Sequence, residues 1–259
     1  VDALDINRSY ETKVAVIGDA KFTLEALIAE LAEQAGEVPQ NQALLDELAA
    51  ERAAFWDEYR PWMTSDETPI NPYRVFAGLQ EVLDPQNSFV TADSGNTRDQ
   101  TSTVYQAEIP RGYMGWGNVS TLGFSLPAAV AAKLAFPERQ CVNVTGDAGV
   151  GYMMGTFESV SRYKIGITTI HIANGGYAGY GPGFWGPGHD PYTCEISAYP
   201  DVSMAQMAQS VGWHGETVTE PAEVVPALKR ALAENKEGRP AFLEFIASRH
   251  PVHGGWVQP

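Results

Sequence analysis

The chain has 259 residues, enough for one large domain or two small ones and for a substantial buried core. Its 44% hydrophobic and 19% charged content excludes a disordered chain, and 17 Lys and Arg against 32 Asp and Glu, a formal charge of −15, argue against nucleic acid, whose binders need a basic surplus. No apolar run approaches the roughly 20 residues of a membrane helix, so no membrane is expected either. In chain order, residues 14–17 (VAVI) are β-branched and followed by Gly18-Asp19, a predicted strand and its exit turn. Leu24, Leu27, Ile28 and Leu31 recur at helical spacing. Residues 36–41 break that pattern, and a second helix follows with Leu44, Leu48, Phe55 and Trp56 on one face. Residues 61–71, rich in Pro, Ser, Thr and acids, read as a linker, and Asn71-Pro72 as the N-cap and first residue of a helix over 72–84.

Beyond that point the rhythm is regular. Strands are predicted at Ser88–Ala92, 141–145, 167–173, 215–218 and Ala241–Ile246, with helices at about 97–106, 124–135, 153–163, 203–211 and 221–234. Nearly continuous apolar strands alternating with helices predict an α/β fold, a doubly wound parallel sheet with helices on both faces. No internal period of 20–50 residues is present, which excludes a solenoid. Cys141 and Cys194 cannot make a disulfide framework, and nothing resembles a signal peptide, so the expected location is cytoplasmic. Cys141 reads as core, and Cys194 as a loop residue with no basic neighbour to activate it. The chain opens without Met and close to a strand, as a segment of a longer protein would.

In such sheets ligands bind beyond the carboxyl ends of the strands. Residues 92–97 (ADSGNT), 145–151 (TGDAGVG) and 172–177 (IANGGY) place small residues where a strand ends, which lets a phosphate approach the backbone and a helix N-terminus. Asp147 adds a carboxylate, Asn174 an amide carbonyl and Gly176 a backbone carbonyl, oxygens suited to magnesium, which completes its shell with phosphates and water. No G-x-x-x-x-G-K-[ST] occurs, and residues 179–188 (GYGPGFWGPG) hold too many prolines to open the helix of a dinucleotide fingerprint. Taken alone, Gly-Asp-Ala is an ordinary strand-to-helix turn and Asn-Gly a common turn signal. Their joint spacing is what distinguishes them, with residues 148–173 between the two candidate oxygen donors.

With that spacing the stretch GDAGVGYMMGTFESVSRYKIGITTIHIANGG (146–176) resembles the Gly-Asp-Gly … Asn-Asn signature of thiamine-diphosphate-dependent enzymes, the superfamily of acetolactate synthase, 2-oxo acid decarboxylases and 2-hydroxyacyl-CoA lyase. Ala148 stands for the third glycine and Ala173 for the first asparagine, which leaves the expected metal ligand, Asn174, in place. Residues 117–139 (GNVSTLGFSLPAAVAAKLAFPER) resemble the family stretch Gly-x-x-Gly-x-Met-Gly-x-x-Leu-Pro-Ala-Ala. The resemblance implies that Leu122 wedges the cofactor into its bent conformation and that the backbone near Ser120 and Leu122 holds the aminopyrimidine. It implies that Asn96 and Thr97 touch the diphosphate, and that Gly146, Ala148, Gly149, Tyr177 and Ala178 line it. Asp147, Asn174 and the Gly176 carbonyl would hold magnesium. Residues 1–35 look like the end of the family's central domain, 36–70 like a helical linker and 71–259 like the diphosphate-binding domain.

The resemblance further implies an enzyme that cleaves or forms C–C bonds, a lyase or transferase, through attack of the thiazolium C2 carbanion on a carbonyl carbon, typically of a 2-oxo acid. No residue here stands in for the glutamate of the family's pyrimidine-binding domain, so a chain or segment carrying that domain is the expected partner, within an oligomer of at least two active units. In the loop after the metal ligands, His189 is the titratable candidate for catalysis. His171 and His214 read as structural, and His250 and His253 as part of a terminal lid or tail. Residues 162–179 also resemble the 2-hydroxyacyl-CoA lyase and oxalyl-CoA decarboxylase branch, although near the C-terminus only Arg249 offers a charge to a CoA phosphate. From other classes, a non-catalytic cofactor-binding or regulatory subunit would have no reason to keep both Asp147 and Asn174, and a plain phosphate-binding α/β protein would need no wedge at Leu122.

Overall fold

The computed structural model describes residues 6–8, 10–35, 40–115, 117, 119–176 and 202–248. It divides into two compact units, Val1–Ala54 and Phe55–Pro259. In the first, α1 (Ala20–Ala35) is started by the Asp19 carboxylate, which accepts hydrogen bonds from the backbone N–H groups of Lys21 and Phe22. Its apolar stripe of Leu24, Leu27, Ile28 and Leu31 is solvent-exposed. The strand expected over 14–17 is not formed, and Val14, Val16 and Ile17 are exposed. Among the described residues this segment has no strand to pair with, and β-branched composition alone cannot satisfy an extended backbone.

Helix α2 (Gln42–Met63) runs through the boundary, and its C-terminal end belongs to the second unit. There Tyr59 and Trp62 pack on Tyr73 of α3 (Pro72–Val82), with ring centroids 5.4 and 5.5 Å apart. The stretch 61–71 is less free than its composition suggests. It starts inside α2 and ends in the wholly buried Ile70, whose N–H donates to the Ile246 carbonyl at 2.9 Å. Asn71 caps α3 as expected, its Oδ1 accepting from Tyr73 N at 3.0 Å.

The sheet has six parallel strands, β1 (Ser88–Ala92), β2 (Tyr113–Met114), β3 (Gln140–Gly146), β4 (Thr168–Ala173), β5 (His214–Val218) and β6 (Ala241–Ile246), in the order β2-β1-β3-β4-β6-β5. The doubly wound α/β expectation is therefore met. Two-residue β2 is too short to leave a sequence pattern. The connecting helices are α4 (Asn96–Val104), α5 (Ser125–Ala135), α6 (Asp147–Met153), α7 (Phe157–Arg162), α8 (Met204–Ser210) and α9 (Val224–Lys236). Helix α6 follows Gly146 without a gap, where the sequence predicts helix only from about 153. Gly149 and Gly151 hid it, since each glycine lowers helix propensity by about 1 kcal/mol.

One face of the sheet buries Val142, Val144, Ile170, Ile172, Leu243 and Phe245 against α3, α4 and α9. The other buries Phe89, Cys141 and Phe242 against α5, α7, α8 and the wholly buried Trp213. Burial pushes the Cys141 thiol up to about 11, which keeps it an inert core residue. From β1 the chain leaves through α4 to β2 on one side, and from β3 through α6 and α7 to β4 on the other. The carboxyl ends of β1 and β3 thus flank the point where the winding direction reverses, the place where this architecture opens a crevice.

Candidate active site

At the end of β1, Asp93 is 1% exposed and its carboxylate accepts four hydrogen bonds. Oδ1 takes Ser94 N and Gly123 N, both at 2.9 Å, and Oδ2 takes Ser125 N at 3.1 Å and Ser125 Oγ at 2.6 Å. Asp93 thereby fastens the start of α5 and the loop before it to the sheet. That loop carries half-buried Leu122 between Ser120 and Gly123, both at positive φ, and Ser120 Oγ shares a hydrogen bond with Ser94 Oγ. A Cβ on Gly123 would lie 2.8 Å from Met153 Cγ, so the loop sits directly on α6.

The first turn of α4 joins this cluster. Thr97 is buried and donates Oγ1–H to the Asp93 carbonyl at 3.2 Å, while half-buried Asn96 opens the helix. A Cβ on Gly146 would meet Thr97 Cγ2 at 3.6 Å, so α4 begins beside the Gly146–Asp147 junction. Neither Gly95, the N-cap of α4, nor Gly146, that of α6, supplies a side-chain cap, and a Cβ on Gly95 would meet nothing within 4 Å. Gly149 instead faces inward, since its Cβ would stand 2.9 Å from Asp93 Cγ and in collision with Thr145 Oγ1. We expect Gly149→Ala to cost about 1–3 kcal/mol in urea denaturation, as overpacking does, and a parent-like midpoint would show that this contact is not tight.

Asp147 is buried at the start of α6, and Ala148 lies buried beside it. Its Oδ2 accepts Asn174 N at 3.3 Å and Gly176 N at 3.0 Å. The three expected metal-ligating residues, from the start of α6 and from just beyond the end of β4, are thus drawn together. Its Oδ1 lies 3.1 Å from His171 Nε2. Burial alone would raise the Asp147 carboxyl, but the bonds from His171, Gly176 and Asn174 hold it below the ordinary carboxylate range. Burial alone would likewise lower the wholly buried His171 imidazole, which the Asp147 and Glu244 carboxylates hold above its ordinary range. His171 is therefore not the simple packing residue expected from the sequence.

On its other side, His171 Nδ1 stands 3.6 Å from Glu244 Oε1, an ion-pair separation longer than a hydrogen bond. Glu244 accepts Met204 N at 2.7 Å, and Ser203 Oγ and Thr217 Oγ1 both at 2.9 Å. Burial opposes its charge, but these bonds and His171 draw the carboxyl down to about 2. A carboxyl titrating below its ordinary range stabilises the fold above about pH 5, and that contribution, of order 3 kcal/mol, is lost as pH falls towards 2. Glu244→Gln is expected to flatten the loss of stability between about pH 5 and 3 in urea denaturation. An unchanged slope would mean that Glu244 is not the group protonated there.

Among the described residues no three His, Cys, Asp or Glu side chains converge as a metal cluster, so a magnesium site here would combine Asp147 with amide and backbone oxygens. His189, Tyr177 and Ala178 lie outside the described residues. The sequence reading missed the roles of His171, Glu244 and Asp93. Its available signal was an ionisable residue inside an otherwise apolar strand, TTIHIA and AFLEFI, or at the end of one.

The profile of the thiamine pyrophosphate enzyme family's C-terminal TPP binding domain matches residues 93–245, from the Asp93 anchor to the last strand. This chain belongs to that family. A probable acetolactate synthase large subunit of Methanocaldococcus jannaschii is 26% identical over 253 residues, covering 95% of this chain and 41% of the relative. A Mycobacterium tuberculosis acetolactate synthase large subunit is 28% identical over 95% of this chain and 43% of its own length. An Arabidopsis thaliana 2-hydroxyacyl-CoA lyase is 24% identical over 90% and 41%. Among solved structures, the Rhodococcus jostii thiamine diphosphate-dependent 4-hydroxybenzoylformate decarboxylase superposes with a TM-score of 0.62 at 26% identity, over 71% of this chain and 34% of that one. The chain thus spans about two-fifths of the length of these curated relatives. Residues 93–245 are its C-terminal TPP binding domain.

Proposed function

We propose that this chain supplies the diphosphate- and magnesium-binding part of a thiamine-diphosphate-dependent carboligase or decarboxylase acting on a 2-oxo acid, and that a pyrimidine-binding domain from another chain or segment completes its site. The observation that carries this reading is the gathering of Asp147, Asn174 and Gly176 at the carboxyl ends of β3 and β4, next to the point where the sheet reverses its winding and to the start of α4, which no side chain caps. Asp147, the Asn174 amide and the Gly176 carbonyl would hold magnesium, and the first turn of α4 would offer its N–H groups to the diphosphate.

When bound, thiamine diphosphate supplies a carbanion that adds to a carbonyl carbon and a ring that accepts the resulting electron pair. The chain's own residues bind and orient. Asp93 holds the loop bearing Leu122 at a fixed height above the sheet, which lets the leucine support the cofactor's bend, and Ser94 steadies Ser120 beside it. Native mass spectrometry of the purified full chain, with and without thiamine diphosphate and magnesium, tests the reading. We expect cofactor mass to be gained only when magnesium is present, and more fully when a chain carrying the missing domain co-purifies. A chain that takes up no cofactor under either condition would overturn the proposal.

A further inference from the structure

Parallel register places Thr145, His171, Glu244 and Thr217 side by side across β3, β4, β6 and β5, hence on one face of the sheet. His171 and Glu244 are 1% and 2% exposed, deep between helices. Desolvating an imidazole and two carboxylates is costly, and apolar residues would fill the row without that cost, so packing alone does not call for them.

We propose that His171, braced by Glu244, is the positioning residue for Asp147, and that the bonds among the described residues leave the carboxylate one open lone pair, on Oδ1, with which Asp147 would hold the metal. The inference rests on the reading of Asp147 as a magnesium ligand. A carboxylate has about four lone-pair sites. Asn174 N and Gly176 N occupy both sites of Oδ2 and His171 Nε2 one of Oδ1, which fixes the plane of the carboxylate and its one open direction. Bonds on both oxygens stop the group from rotating towards bidentate ligation. His171 cannot swing away, because Phe242 packs against its ring and Glu244 faces its other nitrogen. Glu244 is itself immobilised by Ser203, Met204 and Thr217. The same three side chains anchor the backbone on both sides of residues 177–202, at Gly176 through Asp147 and at Met204 through Glu244. A partner that orients a ligand in this way sets metal affinity without touching the metal.

The test is a magnesium titration of the full chain at saturating thiamine diphosphate, followed by tryptophan fluorescence well below the melting temperature of each variant. His171→Leu is expected to raise the half-saturating magnesium concentration ~10–100-fold. Glu244→Gln should raise it less but in the same direction, although residue 244 does not touch Asp147. His171→Gln, whose amide can donate to Oδ1, should recover most of the loss. If His171→Leu does not fold, Glu244→Gln decides the matter. A His171→Leu or Glu244→Gln variant that melts earlier yet keeps the parent's magnesium midpoint would overturn the positioning role and leave Asp147 a ligand. A parent chain with no magnesium-dependent uptake would overturn the ligand reading, and this inference with it.

Discussion

Asp147→Asn is expected to weaken magnesium-dependent binding of thiamine diphosphate by roughly 100-fold or more, beyond the usual effect of losing a ligand's hydrogen-bond partner. The fold should survive. The asparagine oxygen can accept Asn174 N and Gly176 N in place of Oδ2, and its NH2 can turn to His171, whose ring can present a lone pair there. What disappears is the negative charge that a hard dication requires. Isothermal titration calorimetry with magnesium at fixed thiamine diphosphate measures the change, and urea denaturation should show a stability loss of only about 1–2 kcal/mol. A parent-like magnesium affinity in a folded Asn variant would remove Asp147 from the metal site.

The largest effect on stability is expected at Asp93. Alanine there leaves Ser94 N, Gly123 N, Ser125 N and Ser125 Oγ buried without their acceptor. Stranding a buried, charge-assisted hydrogen-bond cluster costs about 3–5 kcal/mol, a large part of a domain's total stability. The same change frees the Leu122 loop, so cofactor affinity should fall even where the protein stays folded. Asparagine should rescue only in part, because one of its two positions is a donor facing donors. Urea denaturation of the Ala and Asn variants decides this, and a loss below about 1 kcal/mol in Asp93→Ala would mean the loop is held by something else.

The sheet was legible because parallel strands buried on both faces leave nearly continuous apolar runs, as β1, β3, β4 and β6 did, while half-exposed β5 showed only through the rhythm of strands and helices. Two-residue β2 was too short to leave one. The segment 14–17 shows the converse, a strand-like composition with no strand to pair with among the described residues. The expected ligand positions were legible through spacing, since Asp147 and Asn174 each sit where a strand ends, and the structure brings their backbone and carboxylate within hydrogen-bond reach.

Sequence alone determined the strand and helix alternation, the acidic character and the family motif, because each is written in local composition or in distances along the chain. Tertiary structure decided that His171 and Glu244 stand next to one another and behind Asp147. They lie 73 positions apart in sequence, and only the register of β4 on β6 makes them neighbours. It also decided that Asp93 holds the Leu122 loop, across 30 residues of chain. A buried ionisable group acquires its role from whichever partners desolvate and hydrogen-bond it, and in a parallel sheet those partners come from strands that the sequence keeps far apart.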